Sequence, residues 1–153
     1  MNQPVTFSEA LTNFGDLGDV STKYPVLAPV LTTLKITEFK KAVKVKDGAE
    51  QETLLVELTT LEDHPEFEKP DGVVKAGHKI TNRILLTPSG EWTEDSTKKA
   101  LARLMEAALG NHTGVFDPTA LLGKNITVQI GVRPARDQYE ASNEIKRLIP
   151  LTV

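Results

Sequence analysis

Residues 32–60 read TTLKITEFKKAVKVKDGAEQETLLVELTT, and the parity of their apolar positions decides how the chain begins to fold. Leu34 and Ile36 share one face of an extended chain, whereas Phe39, Val43 and Val45 fall on the other parity. Successive side chains of a strand point to opposite faces, so a slip in the alternation marks an inserted residue. The pattern predicts one long strand over residues 32–46 with a bulge near Thr37 or Glu38. Asp47-Gly48 is a turn signal, and residues 52–60, rich in aliphatic and β-branched side chains, pair back as a second strand.

Downstream of this hairpin, residues 61–77 (LEDHPEFEKPDGVVKAG) hold prolines, glycines and a cluster of acids, the composition of a long exposed loop. A third strand is expected over 78–87, with Ile80, Ile84 and Leu86 on one face and Lys79, Thr81, Arg83 and Leu85 on the other. Residues 94–109 carry Leu101, Leu104, Met105 and Ala108 at helical spacing. Thr93 stands where a cap belongs and Gly110 where a helix stops. Asp117-Pro118 opens a short helical turn reaching Leu122. Ile126, Val128, Ile130 and Val132 then alternate with polar residues, predicting a half-buried fourth strand. Beyond the turn at Pro134, residues 139–149 pair back as a fifth, with Asn143 and Glu144 at odds with its burial. Upstream, residues 1–31 show no sustained period, and Pro25 and Pro29 favour an extended arm. Its Phe7, Phe14 and Tyr24 either pack on the domain or a neighbouring subunit, or ride on a mobile tail.

Five strands with a helix between the third and fourth is the layout of the oligonucleotide-binding (OB-fold) barrel, whose loops between strands one and two and strands four and five grip ligands. The fold expected is therefore mainly β, a five-stranded OB-fold barrel over 32–153 preceded by an arm over 1–31. The Leu109-Gly110 helix end, the Leu121-Leu122-Gly123-Lys124 step, the strand through Val132 and the Tyr139-x-x-x-Asn143-Glu144-Ile145-Lys146 run resemble bacteriophage single-stranded DNA-binding proteins of this barrel type. The resemblance covers roughly residues 32–150. It implies a sequence-independent, non-enzymatic binder of single-stranded DNA, acting in phage replication or recombination within the host cytoplasm. The chain lacks the acidic C-terminal tail frequent among single-strand binders, so recruitment of replication partners through such a tail is not expected.

Composition narrows the alternatives. The 153 residues carry 18 Lys and Arg against 21 Asp and Glu, so bulk positive charge cannot coat duplex DNA, although a local basic groove can form. With no cysteine there are no disulfides, thiolate nucleophiles or ordinary structural zinc sites. Neither a secretory leader nor a membrane-spanning run is read in the chain. The three histidines, His64, His78 and His112, lie apart, no phosphate-cradling glycine loop or nucleophile elbow occurs, and no cofactor is expected.

Single-stranded nucleic acid asks for cations along a backbone path and flat rings on which bases stack. The opening hairpin offers Lys35, Lys41 and Lys44, the third strand Arg83, and the closing hairpin Arg133, Arg136, Lys146 and Arg147. Residues 50–71, in contrast, are crowded with acids that either face away from the ligand or guard its cleft. Tyr139, beside the closing turn, is the principal stacking candidate, with Phe39 and Trp92 after it. Phe39 equally fits a core position at the bulge, and Trp92 a staple holding the helix to the sheet. Strand lysines also serve solubility and block edge pairing. The rival function is a phage protein-protein interaction or assembly module without nucleic-acid binding, which uses the barrel and the arm for protein contacts, homo-oligomeric ones through the arm among them.

Overall fold

The computed structural model describes residues 6–18 and 25–152. β1 (Val30–Lys46) and β2 (Ala49–Thr60) form an antiparallel hairpin whose register slips between Ile36 and Glu38, so the parity change in the sequence is a bulge at Thr37. Leu34 and Ile36 ahead of the bulge and Phe39 after it all pack on one core. On the opposite face the Thr37 hydroxyl reaches Glu57 O at 3.2 Å and Thr59 Oγ1 at 3.1 Å. Asp47 and Gly48 have φ of 53° and 79°. A two-residue turn with both φ positive matches the right-handed twist of its strands, which explains why an Asp-Gly pair closes this hairpin.

The remaining elements are β3 (His64–Pro65), β4 (Val73–Val74), β5 (Lys79–Leu85), α2 (Glu94–Leu109), α3 (Pro118–Leu121), β6 (Asn125–Arg133) and β7 (Ser142–Ile149). α2 matches its sequence boundaries because both ends are coded locally. Thr93 and Ser96 form a reciprocal capping box, and Gly110 takes the left-handed conformation at φ 84°. α3 starts from Asp117, whose carboxylate accepts from Thr119 N at 3.0 Å.

Three expectations need correction. The stretch 61–77 is not simply an exposed loop: β3 and β4 pair across it, burying His64 and Val74. Gly72 permits the tight return, since a Cβ there would lie 2.7 Å from Glu66 Oε2. Residues 25–31 are not free arm, because β1 begins at Val30 and Leu27 is fully buried. Asn143 holds that segment like an extra strand: its Oδ1 accepts from Leu27 N at 2.8 Å and its Nδ2 donates to Leu27 O at 2.9 Å. Further upstream the arm is not wholly extended. A short helix, α1 (Phe7–Thr12), starts at a Thr6–Glu9 capping box and buries no residue.

The five long strands make one antiparallel sheet in the order β5-β2-β1-β6-β7. Within it β6, β1, β2 and β5 stand in Greek-key order, three consecutive strands with the fourth returned beside the first. The five-stranded sheet is not closed into a barrel: β5 and β7 approach within 8 Å between Cα atoms but share no ladder, so the sheet stays open between them. α2 spans this gap. At its start Trp92 Nε1 and Thr97 Oγ1 both donate to Leu85 O of β5, at 2.9 and 2.6 Å, and near its end Glu106 O accepts from Leu151 N, just past β7, at 2.9 Å. Leu104, Ala107 and Ala108 of α2 join Leu34, Ile36, Val56, Leu58, Ile126, Val128 and Ile130 in the core. The helix therefore covers one sheet face, and the other is left to carry the site. No helix of the described residues is long and apolar enough to cross a membrane.

Candidate nucleic-acid interface

Residues paired across an antiparallel ladder share a face, so the register sorts every strand side chain. Ile36, Leu58 and Ile80 lie in one core-facing row. The neighbouring row, Asn125, Lys35, Thr59 and Lys79, therefore points outward, as do Lys40, Leu55 and Arg83. Lys44 and Lys46 continue this outer face beyond Lys40. On the other side of β1, Leu31, Gln129 and Arg147 make a further outer row. Thr33 and Thr127 face each other between them, hydroxyls 3.3 Å apart.

The register thus brings Lys35, Lys44, Arg83 and Arg147 to one exposed face, together with Lys40, Lys46 and Lys79, which sequence reasoning had not selected. The missed signal was the pairing itself. Lys79 shows its side only once it is set opposite Thr59. Lys41 departs from expectation, since the same parity turns it to the opposite face, where its Nζ lies 3.1 Å from Glu52 Oε1.

Not every cation on the outer face is available. Lys40 lies 3.5 Å from Glu38 and 3.9 Å from Glu57. Lys146, the extra residue of a second bulge in the β6–β7 pairing, folds its stem over Gly131, where a Cβ would lie 2.6 Å from Lys146 Cε. Its Nζ is 2.7 Å from Glu144, and Arg133 is 3.5 Å from the same carboxylate. The Lys146 hydrogen bond and the Lys146 charge, with the Arg133 charge after them, lower the Glu144 pKa below its ordinary value. Lys35, Lys44, Lys46, Lys79, Arg83 and Arg147 form no ion pair among the described residues, and these are the cations left to meet an anion.

Arg136 and Tyr139 lie elsewhere. Their backbones bond each other in both directions, at 2.9 and 2.8 Å, around Asp137 at φ 53°. This turn joins β6 to β7 at the Val30 end of β1, opposite the Lys46 end. Tyr139 is 71% exposed and borders a groove of about 750 Å³ between the turn and residues 66–69. The groove is lined by Glu66, Glu68, Asp137 and Glu140 with Lys69 as its cation, so Tyr139 adjoins an acidic trough and stands apart from the lysine wall. A phosphate backbone is repelled from that trough.

The other two rings are structural. Phe39 meets Phe116 edge-to-face at 6.0 Å and 84°, and Trp92 spends its N–H on Leu85 O and Thr97 Oγ1. Both pack against the core, the packing role set beside stacking for each of them. His64 is buried beside the Thr32 hydroxyl at 3.3 Å, and burial lowers the His78 pKa. No cluster of three or more acids and histidines suited to a metal occurs among the described residues. No protein-family model matches the chain, and no curated protein matches it.

Proposed function

We propose that the chain is a sequence-independent single-stranded DNA-binding protein of the bacteriophage type, acting in replication or recombination, and that its sheet is an OB-fold barrel left open between β5 and β7. The observation that carries this reading is the outer sheet face, where Lys35, Lys79, Arg83 and Arg147 stand exposed and unpaired among the described residues. The Greek-key strand order, and α2 lying across the open side, support the barrel reading. With Phe39 and Trp92 committed to packing, binding leans on phosphates. Tyr139 adds stacking only where a strand passes the rim of the acidic groove. The acidic net charge is no obstacle, because Glu66, Glu68, Asp137 and Glu140 gather around that groove and away from the cationic rows.

A fluorescence titration with oligo-dT at two salt concentrations tests the proposal. Binding is expected at low salt, with log K falling against log[salt] by about 0.7 per phosphate neutralised. No binding at low salt overturns it.

One observation favours a second reading, a protein-contact module. Phe7, Leu11 and Phe14 occupy one face of α1 and its end, 81%, 55% and 75% exposed. Removing residues 1–25 lowers the oligomeric state in sedimentation if the arm assembles copies, and leaves oligo-dT affinity intact if the sheet alone binds DNA.

A further inference from the structure

Past the body of the sheet, β1 and β2 continue alone. β6 pairs with β1 only as far as Lys35. The chain after β5 leaves β2 at Glu52, whose O accepts from Leu86 N at 2.8 Å and whose N donates to Thr87 Oγ1 at 2.9 Å. Beyond Glu52, residues 43–51 form a two-stranded ribbon with its β1 edge free among the described residues and residues 87–89 beside its β2 edge. The ribbon has two unlike faces. Lys44 and Lys46, opposite Gln51 and Ala49, continue the outer cationic face with no acid among them; Val43, Val45, Glu50 and Glu52 form the other. Residues 40–53 contain no aromatic side chain, so the ribbon has nothing on which an unpaired base can stack. Two strands lie about 4.8 Å apart. With side chains they make a ribbon narrow enough for the major groove of B-form DNA, about 12 Å wide, which admits a two-stranded ribbon. Tyr139 lies at the other end of β1.

We infer that the β1–β2 ribbon is a separate contact for duplex DNA, so that the protein sits at a junction between single and double strand. The single strand crosses the Lys35, Arg83 and Arg147 rows, and Lys44 and Lys46 meet phosphates at the mouth of the adjoining duplex groove. This rests on the single-strand reading above. It adds that the ribbon end of the face takes nucleic acid in a different state from the rest, because it offers only cations and an amide and no ring for an unpaired base.

The full chain is titrated by fluorescence anisotropy with oligo-dT, and with the same oligo-dT joined to a hairpin duplex. The junction is expected to bind about tenfold more tightly, the scale of one or two added phosphate contacts. In Lys44→Ala/Lys46→Ala that preference disappears, the junction losing about tenfold more affinity than oligo-dT does. Arg83→Ala/Arg147→Ala weakens binding to both ligands and keeps the preference. Equal wild-type affinity for the two ligands, or a lysine double variant that loses both equally, overturns the junction assignment and leaves single-strand binding standing. Failure to bind either ligand overturns both. A thermal melt of each variant confirms that these exposed substitutions leave the fold intact.

Discussion

The two halves of β1 make the same kind of strand from the same kind of residues and meet opposite fates. In the first half Leu34 and Ile36 are fully buried, flanked by β2 on one side and β6 on the other, beneath α2. In the second half Val43 and Val45 are 51% and 68% exposed, although their alternation is as regular. Hydrophobic character proposes burial, but neighbours grant it. Once β6 has turned away after Lys35 and β5 has ended opposite Thr53, no element remains to cover the valines. The difference separates a half that holds the fold from one that stands ready for contact.

The widest separation between the halves should appear in stability. Leu34→Ala is expected to cost about 2–5 kcal/mol, the range for a buried leucine whose site cannot fully collapse. Val45→Ala should stay within about 0.5 kcal/mol, as for exposed positions generally. Urea denaturation of both variants checks this, and comparable losses would abolish the distinction.

Next in size is Asn143→Ala. It removes the amide that holds both backbone groups of Leu27 ahead of β1, at a cost of about 1–3 kcal/mol for polar groups left unmatched. The loss should fall on the buried half, seen as faster amide exchange at Leu27 with the ribbon unchanged.

Arg83→Ala or Arg147→Ala should leave stability near wild type and lower the slope of log K against log[salt] for oligo-dT by about 0.7 each. An unchanged slope would remove that side chain from the phosphate path.

The smallest effect concerns Asp63, near the buried end of β2. Its carboxylate accepts from Ala76 N at 2.9 Å and from Lys75 Nζ at 3.3 Å, and these bonds, Ala76 foremost, lower its pKa from the ordinary 3.8. A depressed folded pKa gives stability that is present above the unfolded value and is lost as pH falls through the folded one. Asp63→Asn should therefore lower stability slightly at neutral pH and flatten a small part of the acid limb below about pH 4, so that variant and wild type converge at low pH. Melting curves across that window read it directly.

The sequence disclosed what was coded over a few residues. The bulge showed as a parity slip between Ile36 and Phe39, α2 through Thr93 and Gly110, and the hairpin turn through Asp47-Gly48. What depends on distant partners stayed hidden. β3 and β4 are two residues each, too short for any period to appear. The gap between β5 and β7 is decided by the curl of the whole sheet, which no local pattern records. Lys41 and Lys44 look alike in the sequence until pairing turns one toward Glu52 and the other outward. Asn143 and Glu144, which made the fifth strand doubtful, prove to be fixtures of it: one straps down Leu27, the other collects Arg133 and Lys146. For α1, six residues with no buried contact leave only a capping box to read, and Thr6–Glu9 was there to be noticed.

The open seam between β5 and β7 has a consequence for solution behaviour. Strand edges left without a ladder partner invite the same edge of another molecule, the first step toward ordered aggregates. Here β5 presents Lys79 and Arg83, and β7 presents Arg147, so like edges meet as like charges. The residues offered to a polyanion also act as gatekeepers against self-pairing, and added electrolyte weakens both roles together.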